Sequence, residues 1–425
     1  MFTSTTPYVE SLGNNLVLKS VSTEDEIVRL GAFNERIHGE GLDAMTQQLI
    51  RNHPLTHPDH WLFIEEETSR KIVSALCLIP WTWQYEDVAL KAGEMGIVGT
   101  LEEYRNRGLI RALDKRFKTM LKEGGFHLSH IQGIPYFYRL LGYEYALALD
   151  GGWHLRLDQV PDELPPNAQG YNFRQATTAD IPTLQRLHDD AVSGLAIHSP
   201  RSAEIWHYLL THNPHTEYAA QFWLVMDESN QPVAYFKVLK YGFTNGLNIE
   251  EASNLSHAAA LAALGKIKAI AKEREKPFIR LYPCEGHTLL RCAQAWGAQD
   301  TGRYQWQILI PDEAHLLREI APVLERRIAN SPFAGLDETV TINLFRHAIA
   351  LTFKAGRITS VENVGFQPWG NGLAIPPNVF VPLALGYRSL KELQAAYPDV
   401  SVWGQNQFLV DVLFPKMTSH IYQMY

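Results

Sequence analysis

The apolar positions along the first third of the chain switch between two periods. HWLFIEEE (60–67) and KIVSALCLIPW (71–81) are rich in β-branched and aromatic residues and flank the polar turn TSR, the pattern of a hairpin. MGIVGT (95–100) predicts a third strand. From Leu109 the spacing becomes helical: Leu109, Leu113 and Phe117 fall at i, i+4 and i+8, with Ile110, Met120 and Leu121 beside them. Arg111, Lys115, Arg116 and Lys118 take the opposite side, and Gly124-Gly125 supplies the stop. A strand (FHLSHIQG), a short helix (YFYRLLG) and a strand (YEYALAL) complete the segment.

LDQVPDELPPNAQGYN (157–172) is rich in Pro, Asp and Asn and reads as a linker. A second α/β segment runs to about residue 311. The third opens with a helix around HLLREIAPVLERRI (315–328) and continues through TVTINLF, AIALTFKAGRITSV and a helix near YRSLKELQAAY (387–397). The apolar QFLVDVLF (407–414) then leads to the tail PKMTSHIYQMY. The expected division is 1–155, 156–311 and 312–425, in a mixed α/β (α+β) class.

Composition narrows the function classes. The 425 residues are 46% hydrophobic and 20% charged, which excludes disordered, collagenous and small disulfide-bonded chains. Lys+Arg 38 against Asp+Glu 46 leaves a net −8, which argues against a nucleic-acid partner and suits a cationic substrate. Cys77, Cys284 and Cys292 are too few and scattered for a disulfide framework or a thiolate zinc site. The start MFTSTTPYVESLGNNL lacks the regions of a secretory signal, and no apolar run reaches the ~20 residues that span a bilayer. A cytoplasmic protein without a membrane partner is expected.

Several patterns imitate sites. His53, His57 and His60 could suggest a metal, but Pro54 and Pro58 break any helix that would align them, so no metal is expected. Gly297 to Arg303 has the glycine spacing of a P-loop without its Lys-Ser/Thr pair. Trp81, Trp83 and Tyr85 alternate along a strand and would either line a pocket or simply pack.

The informative stretch is the strand MGIVGT, the loop LEEYRNRG and the helix from Leu109. A strand feeding a helix through an Arg- and Gly-containing turn leaves unpaired N–H groups at the positive end of the helix dipole, which makes an anion site. Gly108 allows a diphosphate close to the backbone, and Arg105 and Arg107 add charge. The plainer reading is an ordinary helix start with solvated arginines.

Tyr104-Arg105-Asn106-Arg107-Gly108-Leu109-Ile110 resembles the Q/R-x-x-G-x-G/A acetyl-CoA loop of the GNAT acetyltransferase superfamily, with Ile110 where many members have Gly or Ala. The form RGLIRAL resembles the Eis (enhanced intracellular survival) branch, as do FYRLLGYEY (137–145) and the tail LVDVLFPKMTSHIYQMY. The resemblance implies two tandem GNAT domains followed by a sterol-carrier-like α+β domain. RALDKRF (111–117) and AALGKIK (262–268) fall at equivalent places of the two copies. On that alignment Arg105, Arg107 and Gly108 lie opposite Ser256, Ala258 and Ala259, and Tyr138 opposite Ala293, so the second copy is expected to be degenerate.

The expected activity is acetyl-CoA-dependent N-acetylation of a primary amine on an aminoglycoside, a polyamine or a lysine-type side chain. Candidate cofactor-binding residues are Val98, Gly99, Thr100, Arg105, Asn106, Arg107, Gly108, Leu109, Ile110, Arg111, Gly133 and Ile134. By resemblance Tyr138 is the general acid toward the departing sulfur, and the carboxylate of Tyr425 is the base. Glu94 is the reserve base, relayed by water. The resemblance also implies a homo-oligomer, a hexamer built from trimers. The rival from another class is a non-catalytic acyl-CoA sensor or lipid-binding scaffold.

Overall fold

The computed structural model describes residues 7–150, 152–242, 245–302, 304–368, 372–404 and 407–425. The first six residues of the chain start and Arg303 of the P-loop-like stretch lie outside them.

The first third gives strands β1 (Val9–Gly13), β2 (Leu16–Ser20), β3 (Trp61–Glu66), β4 (Ile72–Tyr85), β5 (Val88–Thr100), β6 (Leu128–Ile131) and β7 (Glu144–Asp150). Its helices are α1 (Glu24–His38), α2 (Leu42–Asn52) and α3 (Leu109–Glu123). Helix α3 buries Leu109, Leu113, Phe117 and Leu121, the stripe its sequence marks. Gly93 of β5 makes room for it, since a Cβ there would lie 2.8 Å from Leu121 Cδ2.

The middle third gives β8 (Trp153–Arg156), β9 (Asn172–Gln175), α4 (Ile181–Val192), β10 (Ile197–His198), α5 (Ala203–Thr211), β11 (Ala220–Met226) and β12 (Pro232–Leu239). It continues with β13 (Leu247–Ala252), α6 (His257–Glu273), β14 (Phe278–Leu281), α7 (Thr288–Ala295), β15 (Gln299–Asp300) and β16 (Tyr304–Leu309).

The first sheet runs β1-β2-β3-β4-β5-β6-β16-β7, with β10 beside β4, and the second runs β15-β8-β14-β13-β12-β11-β9. From β2 and β9 onward the two sheets have the same order of equivalent strands, and each has one parallel pair, β5 with β6 and β13 with β14. Strands β8 and β16 are exchanged: β8 pairs with β14 in the second sheet, and β16 lies between β6 and β7 in the first. Sheet membership therefore does not follow the chain division at 155, since β16 from within 156–311 joins the first sheet. Contiguous sequence segments cannot display this, because β8 and β16 carry the same alternating pattern whichever sheet they join.

The last third forms a five-stranded sheet, β19-β18-β17-β20-β21, from β17 (Thr339–Asn343), β18 (Ala348–Lys354), β19 (Arg357–Gly365), β20 (Gly372–Ala374) and β21 (Ser401–Trp403). Helices α8 (Glu313–Glu319), α9 (Ala321–Ala329), α10 (Pro377–Ala384), α11 (Leu390–Ala396) and α12 (Gln407–Leu413) accompany it. The helix expected over 315–328 is two helices, because Pro322 cannot donate into the ladder and starts a new helix. The Tyr85 hydroxyl donates to the Ala384 carbonyl at 2.9 Å, joining this part to the first sheet.

Candidate active site

Strand β5 carries an irregularity at its centre. Ala75 pairs with Gly99 and Cys77 with Gly96, so β5 holds one residue more than β4 over this interval. Ile97, at φ +47°, belongs to this bulge. The extra residue reverses which face follows: a Cβ on Gly93 would meet α3, whereas one on Gly99 would lie 3.0 Å from Ile37 of α1. Pairing with β6 ends at Glu94–His130, and beyond it β5 and the segment after β6 diverge into a wedge. Val98, Gly99 and Thr100 bound it on one side, Gly133 and Ile134 on the other.

The wedge leads to the start of α3. Asn106 (φ +61°) and Gly108 (φ +78°) both adopt left-handed conformations, and no side chain caps the helix. The N–H groups of Leu109, Ile110 and Arg111 are thus left for an anion. Arg105, Arg107 and Arg111 are exposed and form no ion pair among the described residues. The Arg107 guanidinium lies 4.7 Å from the Tyr104 ring, whose hydroxyl donates to Glu66. This arrangement fits a coenzyme diphosphate: donors, unneutralised cations and a glycine whose Cβ position has nothing within 4 Å.

The second sheet lacks these features. Helix α6 is capped by its own Ser256, whose hydroxyl accepts from Ala259 N at 3.1 Å. Ser256 therefore occupies the place of Gly108, one helical turn from the position that sequence alignment gives it, because the helix begins at His257. Ala293 and Tyr138 hold the same place in like turns. Tyr143 N donates to Tyr138 O and Ala298 N to Ala293 O, each just after a left-handed glycine, Gly142 or Gly297.

Tyr138 is buried against the wedge, and a Cβ on Gly133 would fall 2.1 Å from its Cδ2. Burial and the neighbouring Tyr304 raise its pKa above the ordinary phenol value, so it stays protonated. Tyr304 Oη and Gln307 Nε2, both from the exchanged strand β16, donate to the Gly133 carbonyl and fix that segment.

Glu94 lies at the mouth of the wedge, 2% exposed. Its Oε1 accepts from Tyr425 Oη at 2.8 Å and from Gln132 Nε2 at 3.2 Å, while Oε2 is buried near the Trp81 side chain with no close hydrogen-bond partner among the described residues. Burial pushes its pKa up to about 7 against the hydrogen bonds that favour the charge. The Tyr425 ring packs edge-on against Trp81 and Tyr218, so it is the phenol of the last residue that meets Glu94. Gln132 thus touches Tyr425 while the next residue, Gly133, touches Tyr138, and the two candidate catalytic residues flank one short segment.

A cavity of about 810 Å³ opens on that segment. Glu35, Glu40 and Asp43 line it from the α1–α2 region, and Glu217 and Glu250 from the second sheet's side. Glu250 is paired with the buried Lys237 at 2.5 Å, Lys240 and His215 are the basic residues of the lining, and tyrosines 218, 241, 282 and 304 supply aromatic wall. Sequence reading had no access to this cavity, since its walls are far apart in the chain. The one signal available was Glu94 itself, a lone carboxylate inside the glycine-rich strand KAGEMGIVGT.

The tryptophan pattern and His53 resolve as packing. Trp81 and Trp83 pack on His130 and Trp306, with Tyr85 buried beyond them. His53 is buried beside Tyr208, its pKa lowered to about 4 by burial. No group of metal-binding side chains occurs among the described residues. No described helix is long and apolar enough to cross a membrane.

Comparison with known proteins bears on this geometry. Residues 40–146 match the family model for an acetyltransferase (GNAT) domain. The comparison with curated protein sequences finds no match. Among solved structures, a GCN5-related N-acetyltransferase from Anabaena variabilis superposes with TM-score 0.67 at 14% identity, over 96% of this chain and 99% of that one. A GCN5-related N-acetyltransferase from Kribbella flavida gives 0.66 at 15% identity, over 96% and 98%. Eis1 from Mycobacterium abscessus gives 0.59 at 14% identity, also over 96% and 98%.

The chain thus carries a GNAT acetyltransferase domain and is an acyltransferase by class. Such domains take acetyl-CoA as co-substrate and act on amines or other small molecules. The likeness to Eis proteins expected from the tail and loop motifs is seen in the overall fold.

Proposed function

We propose that the chain transfers the acetyl group of acetyl-CoA to a primary amine that is cationic in solution. The observation that carries this reading is the carboxylate-lined cavity opening on the same Gln132–Ile134 segment that bounds the wedge. The diphosphate sits at Leu109–Arg111 with Arg105, Asn106, Arg107 and Gly108 around it, and the thioester reaches into the wedge beside Val98–Thr100. The amine enters through the cavity, where acidic walls attract its ammonium form.

One proton must leave before the nitrogen can attack. The carboxylate of Tyr425 takes it in this reading. Glu94 is the second candidate, favoured by its pKa of about 7 and by an Oε2 with no close hydrogen-bond partner among the described residues. Attack forms the N–C bond and an oxyanion facing the free N–H groups of bulged β5. Collapse breaks the C–S bond and Tyr138 donates its phenolic proton to the sulfur; the second proton lost by the acylated nitrogen restores the phenol. Burial that raises the phenol's pKa also disfavours the thiolate leaving beside it, so the two acidities stay matched.

In this reading residues 1–155 and 156–311 are tandem GNAT domains and 312–425 a sterol-carrier-like domain. The shared strand order, the self-capped α6 and Ala293 in the place of Tyr138 support a second copy without cofactor. The protein works in the cytoplasm as a homo-oligomer, a hexamer by resemblance, which sedimentation measures directly. The test of function is CoA release with aminoglycosides, polyamines and lysine peptides, repeated with propionyl- and octanoyl-CoA. Turnover confined to amines, fastest with acetyl-CoA, is the expected result. Acetyl-CoA binding without turnover on any amine would replace the enzyme by a sensor.

A further inference from the structure

The tail from Ser419 to Tyr425 is almost wholly buried yet belongs to no helix or strand. Its His420 N–H donates to the Ile197 carbonyl at 3.0 Å, and beyond that residue the carbonyls are held by side chains. Ser199 Oγ donates to the Tyr422 carbonyl at 2.7 Å, Arg201 Nη2 to the Gln423 carbonyl, and His53 Nε2 to the Met424 carbonyl at 3.4 Å. Three successive carbonyls just before Tyr425 are therefore taken by three different side chains, two of them from the segment Ser199–Arg201.

Arg201 is the strongest of these anchors and the most costly to bury. It is 3% exposed and forms a two-pronged pair with Glu251, at 2.6 and 2.7 Å. Glu251 also accepts from the Tyr235 hydroxyl, and His188 lies 3.5 Å from it. Buried ion pairs of this kind contribute little net stability compared with apolar residues of similar volume, so retention of one calls for another reason. Its place supplies that reason. Strand β13 is bulged at Glu250, as β5 is at Ile97, and Glu251 is the next residue along. Where the first sheet turns its free strand edge toward the thioester, the second sheet places a carboxylate that orients an arginine onto the tail.

We propose that Arg201 and Glu251 are positioning residues for acetyl transfer in the first domain: the second sheet's cofactor wedge has become the clamp that sets Tyr425 against Glu94. This rests on the reading that the tail completes the active site. The clamp explains how a segment with no secondary structure holds an aromatic residue in one pose. It also gives the second domain a part in a reaction whose cofactor it does not bind.

The experiment replaces the pair together, R201M with E251M, so that no unpaired charge is left buried, and adds R201K as a milder second variant. Hydrogen exchange of the peptide covering 418–425 reads the clamp without reference to activity, and is expected to speed up at least ~10-fold. Acetyl-CoA affinity should be unchanged, and kcat should fall ~10- to 10²-fold, the scale of an ångström-level misplacement. R201K should lie between wild type and the double variant in both readouts. Combining the double variant with Y425A should lower kcat no further than Y425A alone. Unchanged exchange of the tail, or a kcat loss that adds to that of Y425A, would overturn the proposal. If Y425A alone leaves turnover intact, the active-site reading of the tail fails instead, and the exchange measurement still decides the clamp.

Discussion

Glu94→Gln tests the candidate site through a property that depends on pH in a calculable direction. In the unfolded chain the Glu94 carboxyl titrates near 4.5, and in the fold near 7, because it is buried between β4, β6 and the tail. Between these values the unfolded state has released a proton that the folded state still holds. Stability therefore falls as pH rises through this window and stays low above it. At ~1.36 kcal/mol per pH unit, the displacement from 4.5 to about 7 corresponds to about 3 kcal/mol. Glutamine has no proton to lose and keeps a carbonyl oxygen for Tyr425 Oη and Gln132 Nε2. The variant should match wild type near pH 4.5 and exceed it by about 3 kcal/mol at pH 8. Differential calorimetry of both proteins from pH 5 to 8 gives the comparison. Acetyl transfer in the same buffers should show a rising limb near pH 7 in wild type, and its loss in the variant if Glu94 is the base. A stability difference that does not change with pH would refute the reasoning.

Tyr138→Phe should lower acetyl transfer ~10²- to 10⁴-fold without loss of acetyl-CoA affinity, as steady-state rates and calorimetry would show; near-normal turnover removes the phenol from the chemistry. Arg105→Ala and Arg107→Ala should each weaken acetyl-CoA binding up to ~10-fold, with a shallower salt dependence, since both guanidiniums are exposed and screened. Gly133→Ala should drive the Tyr138 ring from its place, because the new Cβ would lie 2.1 Å from Cδ2, at ~1–3 kcal/mol in stability and with most of the turnover. Extra residues joined after Tyr425 should impair turnover while leaving the melting temperature and acetyl-CoA affinity in place; full activity would demote the last residue to packing.

What the sequence discloses and what it hides follow from the range of the interactions. Helix α3 over Leu109–Glu123 is local: its stripe, its glycine start and its glycine stop lie within seventeen residues of chain and match the expectation. The strands around 60–67, 71–81 and 95–100 are likewise found, although β4 and β5 run longer, to Tyr85 and from Val88. The bulge at Ile97 was not legible, because an extra residue in one strand is visible only against its partner. Nor was the exchange of β8 and β16, whose apolar alternation suits either sheet. The site divides the same way. The Arg-rich loop and Tyr138 lie in short motifs, whereas Glu94 meets Tyr425 across more than three hundred residues of chain.

The traded strands have a consequence for how the molecule can be taken apart. Each of the first two sheets is finished by a ribbon that the other's chain segment contributes, so neither half, expressed by itself, would have its full complement of hydrogen-bonding partners. A protease nick in the proline-rich stretch after Asp158 would sever the covalent thread and leave the halves clasped, like two hands that have each lent a finger to the other.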